Sequence, residues 1–332
     1  LDAGLVDRME DYEALRVKVR TDVTGGTGTD DRLFIGIDDY ASQPAAAAGA
    51  RRANPAIALV YIQGTIMQNG AGDDFIPADD MADDINDAAD DGEIRAIVIR
   101  IDSPGGSPTA SETIRRAIVR AKSKGKKVVV SMGGMAASGG YWIAAPADRI
   151  FALPGTLTGS IGVAGGKIAL RGLWDKVGVK CDGVQYGKNA DMMSFNEPFS
   201  ASGEELMNRT MDIVYDGFVA RVAEGRKMTP AQVDMVARGR VWSGKQAAAN
   251  GLVDDLGGLD AALDYTAKEL GAANRQALNI YVLPRPVTPV ERIMDLFGDR
   301  VGIKDDIKSL IQAYGLARNS GSLAVWEPLT VR

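Results

Sequence analysis

Apolar positions along this chain follow two rhythms. Short runs rich in aliphatic residues at 57–62, 94–101, 128–131 and 149–152 read as strands. Between them the spacing changes to helical. Residues 75–92 form an acidic helix with Ile76, Met81 and Ile85 as its apolar side, and 109–123 turn Ile114, Ile118 and Val119 inward. A turn and short strand follow at 158–163, then a helix near 170–177 and a long amphipathic helix over 203–224. Thr229 opens another helix with Pro230 at its first position, where the missing N–H costs nothing. Helices at 245–250 and 258–270 precede a strand at 278–283 and a weakly amphipathic helix at 289–313. Strands alternating with helices across short turns predict an α/β fold with a mostly parallel sheet.

The punctuation divides the chain. Residues 21–55 are rich in Gly, Thr and Asp and then in Ala, which reads as a linker with one short strand at 33–37. Gly4-Leu5-Val6-Asp7, followed by Met9, Tyr12, Glu13 and Ala14, repeats in register as Gly251-Leu252-Val253-Asp254 with Leu256, Leu259, Asp260 and Ala261. The repeat makes residues 1–20 the expected tail of an upstream copy of a unit that spans 56–270, with 271–332 as an extension. The chain opens on Leu1 rather than Met, in keeping with that expectation.

Composition narrows the chemistry. The net charge of −6 gives no electrostatic case for nucleic acid, and the one basic run, 120–127, suits the C-terminal end of a surface helix. No stretch of about 18 apolar residues is present to span a bilayer. A single cysteine, Cys181, excludes an internal disulfide and a multi-cysteine metal site. Histidine is absent, which removes every Ser-His-Asp and Cys-His arrangement and every His-ligated metal. No cofactor or metal is expected.

Within these limits one stretch stands out. Residues 128–145 read V-V-V-S-M-G-G-M-A-A-S-G-G-Y-W-I-A-A. A strand stops at Gly133-Gly134, and Ser138 then stands at the head of a short apolar helix, where backbone N–H groups lack partners. A nucleophile there has donors at hand for a developing oxyanion. A second Gly-rich turn, Ser103-Pro104-Gly105-Gly106-Ser107, follows the preceding strand, so both turns fall at the carboxyl edge of the sheet, where ligands bind in open α/β folds. That turn lacks the Lys-Ser/Thr of a phosphate cradle. Without histidine, the base for Ser138 must be Lys, Asp/Glu or Tyr, or come from another chain.

S-P-G-G-S (103–107), S-M-G-G-M-A-A-S-G-G-Y-W (131–142), L-T-G-S-I-G-V (157–163), G-R-V-W-S-G (239–244) and G-L-V-D-D-L-G (251–257) together resemble the signal peptide peptidase A family of serine proteases, its long two-unit members above all. The resemblance implies a ClpP/crotonase-like fold and a Ser/Lys dyad that cuts remnant signal peptides and other unfolded or membrane-released peptides. It implies Ser138 as nucleophile, Gly105 and Gly139 as oxyanion-hole amides, and Ser160 as the hydroxyl that orients the lysine. Gly106, Met135, Ala137 and Val163 would line an extended groove that takes the peptide as an added strand. It further implies a homo-oligomer, placed at the bacterial inner membrane with the peptidase part facing the periplasm and the membrane anchor upstream.

One departure bears on mechanism. Where single-unit members carry the general-base lysine, this chain has Ala190 in Ala190-Asp191-Met192-Met193-Ser194-Phe195. Lys188, two residues earlier, is the one substitute nearby, and its plain reading is an exposed loop lysine. In two-unit members the first unit contributes the lysine and the second the serine, which agrees with the truncated repeat at 1–20. Two alternatives to a peptidase half remain: an assembly unit without catalysis of its own, and a crotonase-like acyl-CoA enzyme sharing a glycine-based oxyanion hole.

Overall fold

A computed structural model of the chain describes residues 54–68 and 74–284. The strand expected at 33–37, the repeat tail at 1–20, most of the linker and the helix expected at 289–313 lie outside the described residues. Chain order runs β1 (Ala56–Gln63), β2 (Thr65–Met67), β3 (Phe75–Pro77), α1 (Ala78–Asp90), β4 (Ile94–Ser103), α2 (Pro108–Ser123), β5 (Lys127–Ala137), α3 (Gly139–Ala144), β6 (Arg149–Ala152) and β7 (Leu157–Gly159). It continues with α4 (Arg171–Val177), α5 (Ala201–Arg226), α6 (Pro230–Val236), β8 (Val241–Ser243), α7 (Gly244–Ala249), β9 (Asp255–Leu256), α8 (Leu259–Glu269) and β10 (Asn279–Leu283).

The main sheet has the order β10-β1-β4-β5-β6-β9, and every pairing along it is parallel. The mixed α/β architecture with a mostly parallel sheet is therefore as the apolar runs predict. Alternation along each strand feeds two cores. Val60, Ile62, Ile97, Ile99, Ile101, Val128, Val130 and Met132 face the helices α1, α2, α3 and the end of α5. Ile57, Leu59, Ala96, Val98 and Val129 face α8, whose Ala262, Leu263 and Ala267 cover them. A sheet covered on both faces needs strands apolar on both faces, which is why 57–60, 96–99 and 128–130 show no polar alternation. Although β10 lies beyond residue 270, it joins the sheet at the β1 edge.

The basic run has a structural use. Arg120 and Lys124 pair with Asp90 at the end of α1, Lys122 reaches Asp148, Lys126 donates to the carbonyls of Asp91 and Ile94, and Lys127 pairs with Glu269. These contacts fasten the end of α2 to its neighbours. Among the described residues, no helix is long and apolar enough to cross a membrane.

Candidate active site

The strand carrying the elbow is longer than the glycine pair suggests. β5 does not stop at Gly133-Gly134 but runs through them to Ala137. Its register against β4 shifts there: Ile101 pairs Met132, and the next partners are Ser103 and Ala136. Residues 133–135 thus bulge opposite Asp102. The Asp102 carboxylate stands in for the missing strand, accepting the N–H of Met135 at 3.0 Å and of Gly134 at 3.3 Å. A Cβ on Gly133 would lie 2.6 Å from Asp102 Oδ2, so the glycine is there to admit the carboxylate rather than to turn the chain. From the other side, the buried hydroxyls of Thr156 and Thr158 donate to the carbonyls of Gly133 and Ala136, both at 2.7 Å. Bulges of this kind re-aim a strand beside a site.

What is re-aimed is Ser138. It sits at φ 51°, ψ −119°, strained for a residue with a Cβ, as the N-cap of α3. Its N–H donates to Gly159 O at 2.9 Å, and its carbonyl accepts from Trp142 N–H at 2.9 Å. β7 pairs parallel with the end of β5, Ala137 opposite Gly159, so Ser138 and Ser160 each follow directly on a matched pair. Ser160 also has positive φ, 49°, and its N–H donates to Arg240 O at 2.8 Å. Neither hydroxyl has a hydrogen-bond partner among the described residues.

Both serines line one cleft of about 600 Å³. Val163, Met211 and Tyr215 form its apolar wall, with Asp212 and Arg238 also in the lining. There is no lysine among the described residues that line it. Lys188 is exposed, in the 187–190 turn, and does not line the cleft. Arg238 is held by Asp234 at 2.6 Å, and a guanidinium is not a base at any working pH. Burial and the bond from its hydroxyl to Asp234, 2.6 Å, push the Tyr215 phenol above its usual range. It therefore stays protonated near neutrality.

The expected oxyanion donors sort themselves by geometry. Gly139, in the first turn of α3, is buried, and its N–H has no partner among the described residues. The Gly105 N–H is engaged by Ser103 Oγ at 3.1 Å, and the residue is buried. Gly105 instead provides close approach: a Cβ there would fall 2.6 Å from Gly139 N and 2.7 Å from Ser138 Cβ. The next amide, Gly106, is exposed and unpartnered among the described residues, while its neighbours Gly105 O and Ser107 N bond to Ile66. Of the other expected groove residues, Val163 lines the cleft, Ala137 is buried at the end of β5, and Met135 is half-buried. Asp102, Thr156, Thr158, Met211 and Tyr215 were not singled out from the sequence. The signal for the first three was present only as a carboxylate directly before a glycine-rich turn and as two alternate threonines at a short strand, Thr156 before it and Thr158 within it.

A strained serine between a parallel strand and a helix, followed directly by an unpartnered glycine amide, fits the class of serine hydrolases. Residues 120–273 match the model of Peptidase family S49. Protease 4 of Salmonella typhi is 40% identical over 282 residues, covering 85% of this chain and 44% of that protein. Protease 4 of Haemophilus influenzae is 37% identical over 240 residues, 72% of this chain and 39% of that protein. A putative protease of Synechocystis is 34% identical over 218 residues, 64% of this chain and 78% of that protein. The chain belongs to peptidase family S49, the signal peptide peptidase A family of serine peptidases. It spans less than half the length of the two Protease 4 relatives. Membership removes the acyl-CoA reading.

Proposed function

We propose that this chain is the nucleophile-bearing half of a serine endopeptidase whose lysine comes from an upstream unit of the same protein. The observation that carries the reading is the cleft itself: it holds two unpartnered hydroxyls, Ser138 and Ser160, and no lysine. Ser138 Oγ attacks the peptide carbonyl carbon and gives its proton to the neutral lysine amine. Gly106 and Gly139 N–H groups hold the resulting oxyanion. The lysine returns the proton to the departing amine as the C–N bond breaks, and water then hydrolyses the acyl-serine. Ser160 orients the lysine. An amine with a reference pKa near 10.4 works here only if burial lowers it, and a cleft closed by a second unit supplies that burial. The substrates are remnant signal peptides and other unfolded or membrane-released peptides, taken up as extended chain in the groove beside Ser138. The assembly is a homo-oligomer at the bacterial inner membrane, facing the periplasm and anchored upstream.

The test is covalent labelling by a serine-directed fluorophosphonate. The full-length protein labels on Ser138, Ser138→Ala abolishes labelling, and residues 1–332 alone label at least about tenfold more slowly for want of the base. Unchanged labelling of Ser138→Ala rejects the nucleophile. Equal labelling of the isolated chain rejects the shared dyad and favours a base within this half.

A further inference from the structure

Outside the cleft, one carboxylate gathers more donors than any other described side chain. Glu112, on α2, has only 15% of its side chain exposed. It accepts Arg115 Nε at 2.7 Å and Nη2 at 2.9 Å from its own helix, and Arg116 Nε at 3.2 Å. Across the helix layer it accepts Trp142 Nε1–H of α3 at 2.9 Å. Arg221 of α5 completes the set, its Nε 3.3 Å from Oε2. Burial works against ionisation, but Arg115, Trp142 and Arg221 outweigh it and hold the carboxyl below the usual range.

Trp142 is where this hub meets the proposed chemistry. It lies one helical turn beyond Ser138, and its backbone N–H donates to Ser138 O at 2.9 Å. Its ring packs on Phe218 of α5 with centroids 4.5 Å apart, and the Arg221 guanidinium lies over it at 5.8 Å. α5 is also the helix that presents Met211 and Tyr215 to the cleft. One carboxylate thus joins the nucleophile helix to the opposite wall. A buried tryptophan could have been seated by packing alone; here its only polar atom is aimed at a charged acceptor that a helix-to-helix apolar contact does not require.

We propose that Glu112 is a positioning residue for the peptidase reaction: through Trp142 and Arg221 it sets the spacing between the Ser138–Gly139 turn and the α5 wall. The proposal rests on the functional reading above. Small displacements of a nucleophile from its line of attack cost about two orders of magnitude in rate, so a loosened α3 is read directly in the acylation rate.

The experiment compares Glu112→Ala, Glu112→Gln and Trp142→Phe in the full-length protein. Each is measured for the rate of fluorophosphonate labelling and for the Trp142 indole N–H resonance, identified as the signal lost in Trp142→Phe. Glu112→Ala is expected to slow labelling about tenfold or more and to move the indole signal upfield. Glu112→Gln, which keeps an acceptor, stays within about threefold of the parent with the indole signal in place. Should Glu112→Ala fail to fold, Trp142→Phe keeps the test, since it keeps an aromatic ring against Phe218 while removing the indole donor with its five-membered ring. Slowed labelling of Trp142→Phe supports the proposal. Parental labelling by Glu112→Ala or by Trp142→Phe overturns it, as does an indole signal that Glu112→Ala leaves unmoved. If the parent itself does not label, the functional reading fails and carries this proposal with it; a labelling parent with unslowed variants defeats the positioning role alone.

Discussion

Replacing Asp254 tests whether the G-L-V-D-D-L-G segment is a structural latch. Its carboxylate accepts the Ile150 N–H at 2.8 Å and is bound two-handed by Arg226, at 2.7 and 3.0 Å. The Arg226 side chain is 8% exposed and Asp254 22%, so the pair is largely out of water. Arg226 also donates to Gly251 O at 3.1 Å, and Leu252 O accepts the buried Tyr141 hydroxyl of α3 at 2.8 Å. The segment therefore ties together the end of α5, the start of β6 and α3, the helix that Ser138 caps. Asp254→Ala strands a buried guanidinium and the N–H of a fully buried residue. Breaking one side of a buried pair costs about 3–5 kcal/mol. In a domain of this size each kcal/mol lowers Tm by about 2–4 °C, so the expected fall is about 6–20 °C. Thermal unfolding followed by circular dichroism at pH 7 reads it. A double variant with Arg226→Met should recover part of the loss, because no charge is then left unpaired. The pH dependence has a defined sign. Burial pushes the Asp254 carboxyl up, but Arg226, the Ile150 N–H and Arg149 outweigh it and hold it below its usual range. Its stabilising contribution is complete above about pH 4 and is lost as the pH falls below that. The variant should thus lose the part of the parent's acid sensitivity that this group supplies. A Tm within about 2 °C of the parent for Asp254→Ala would refute the latch.

Three further outcomes are expected. Gly105→Ala, with φ +103° and a Cβ 2.6 Å from Gly139 N, should cost about 1–3 kcal/mol in urea unfolding and slow Ser138 labelling; unchanged labelling would detach Gly105 from the site. Asp102→Ala should cost about 1–2 kcal/mol and speed hydrogen exchange at Met135, whose N–H loses its acceptor; exchange at the parental rate would show that the bulge holds without it. Lys188→Ala should leave full-length labelling within about twofold, and a loss of tenfold or more would make Lys188 the base after all.

The sheet was legible because each central strand has an apolar stretch on both faces, 57–60, 96–99 and 128–130, as a strand covered on both sides requires. The elbow was legible because a serine at a helix start after a β-branched run is a local pattern. What stayed hidden depends on distant partners. Gly133-Gly134 reads as a stop, and nothing within ten residues reveals that Asp102, on another strand, fills the space they leave. Gly105 and Gly106 are equivalent in sequence; the Ser103 hydroxyl decides which amide is free. The periodicity over 203–224 gives the helix but not its setting: of α5 only Gly203, Phe218, Val219 and Val222 are buried, so most of its first four turns stand clear of the core. Glu112 reads as one more charge paired within its helix, since the partners that tie it to other helices, Trp142 and Arg221, lie 30 and 109 residues ahead.

The cleft draws on residues 138, 160–164, 211–215 and 238–239, and the latch that fastens its helices lies at 251–254. During synthesis, then, the serine emerges more than a hundred residues before the last element that holds its helix in place. Until that segment is made, Arg226 and Tyr141 lack their partners. A nascent or C-terminally clipped chain carries Ser138 without the frame that holds its helix.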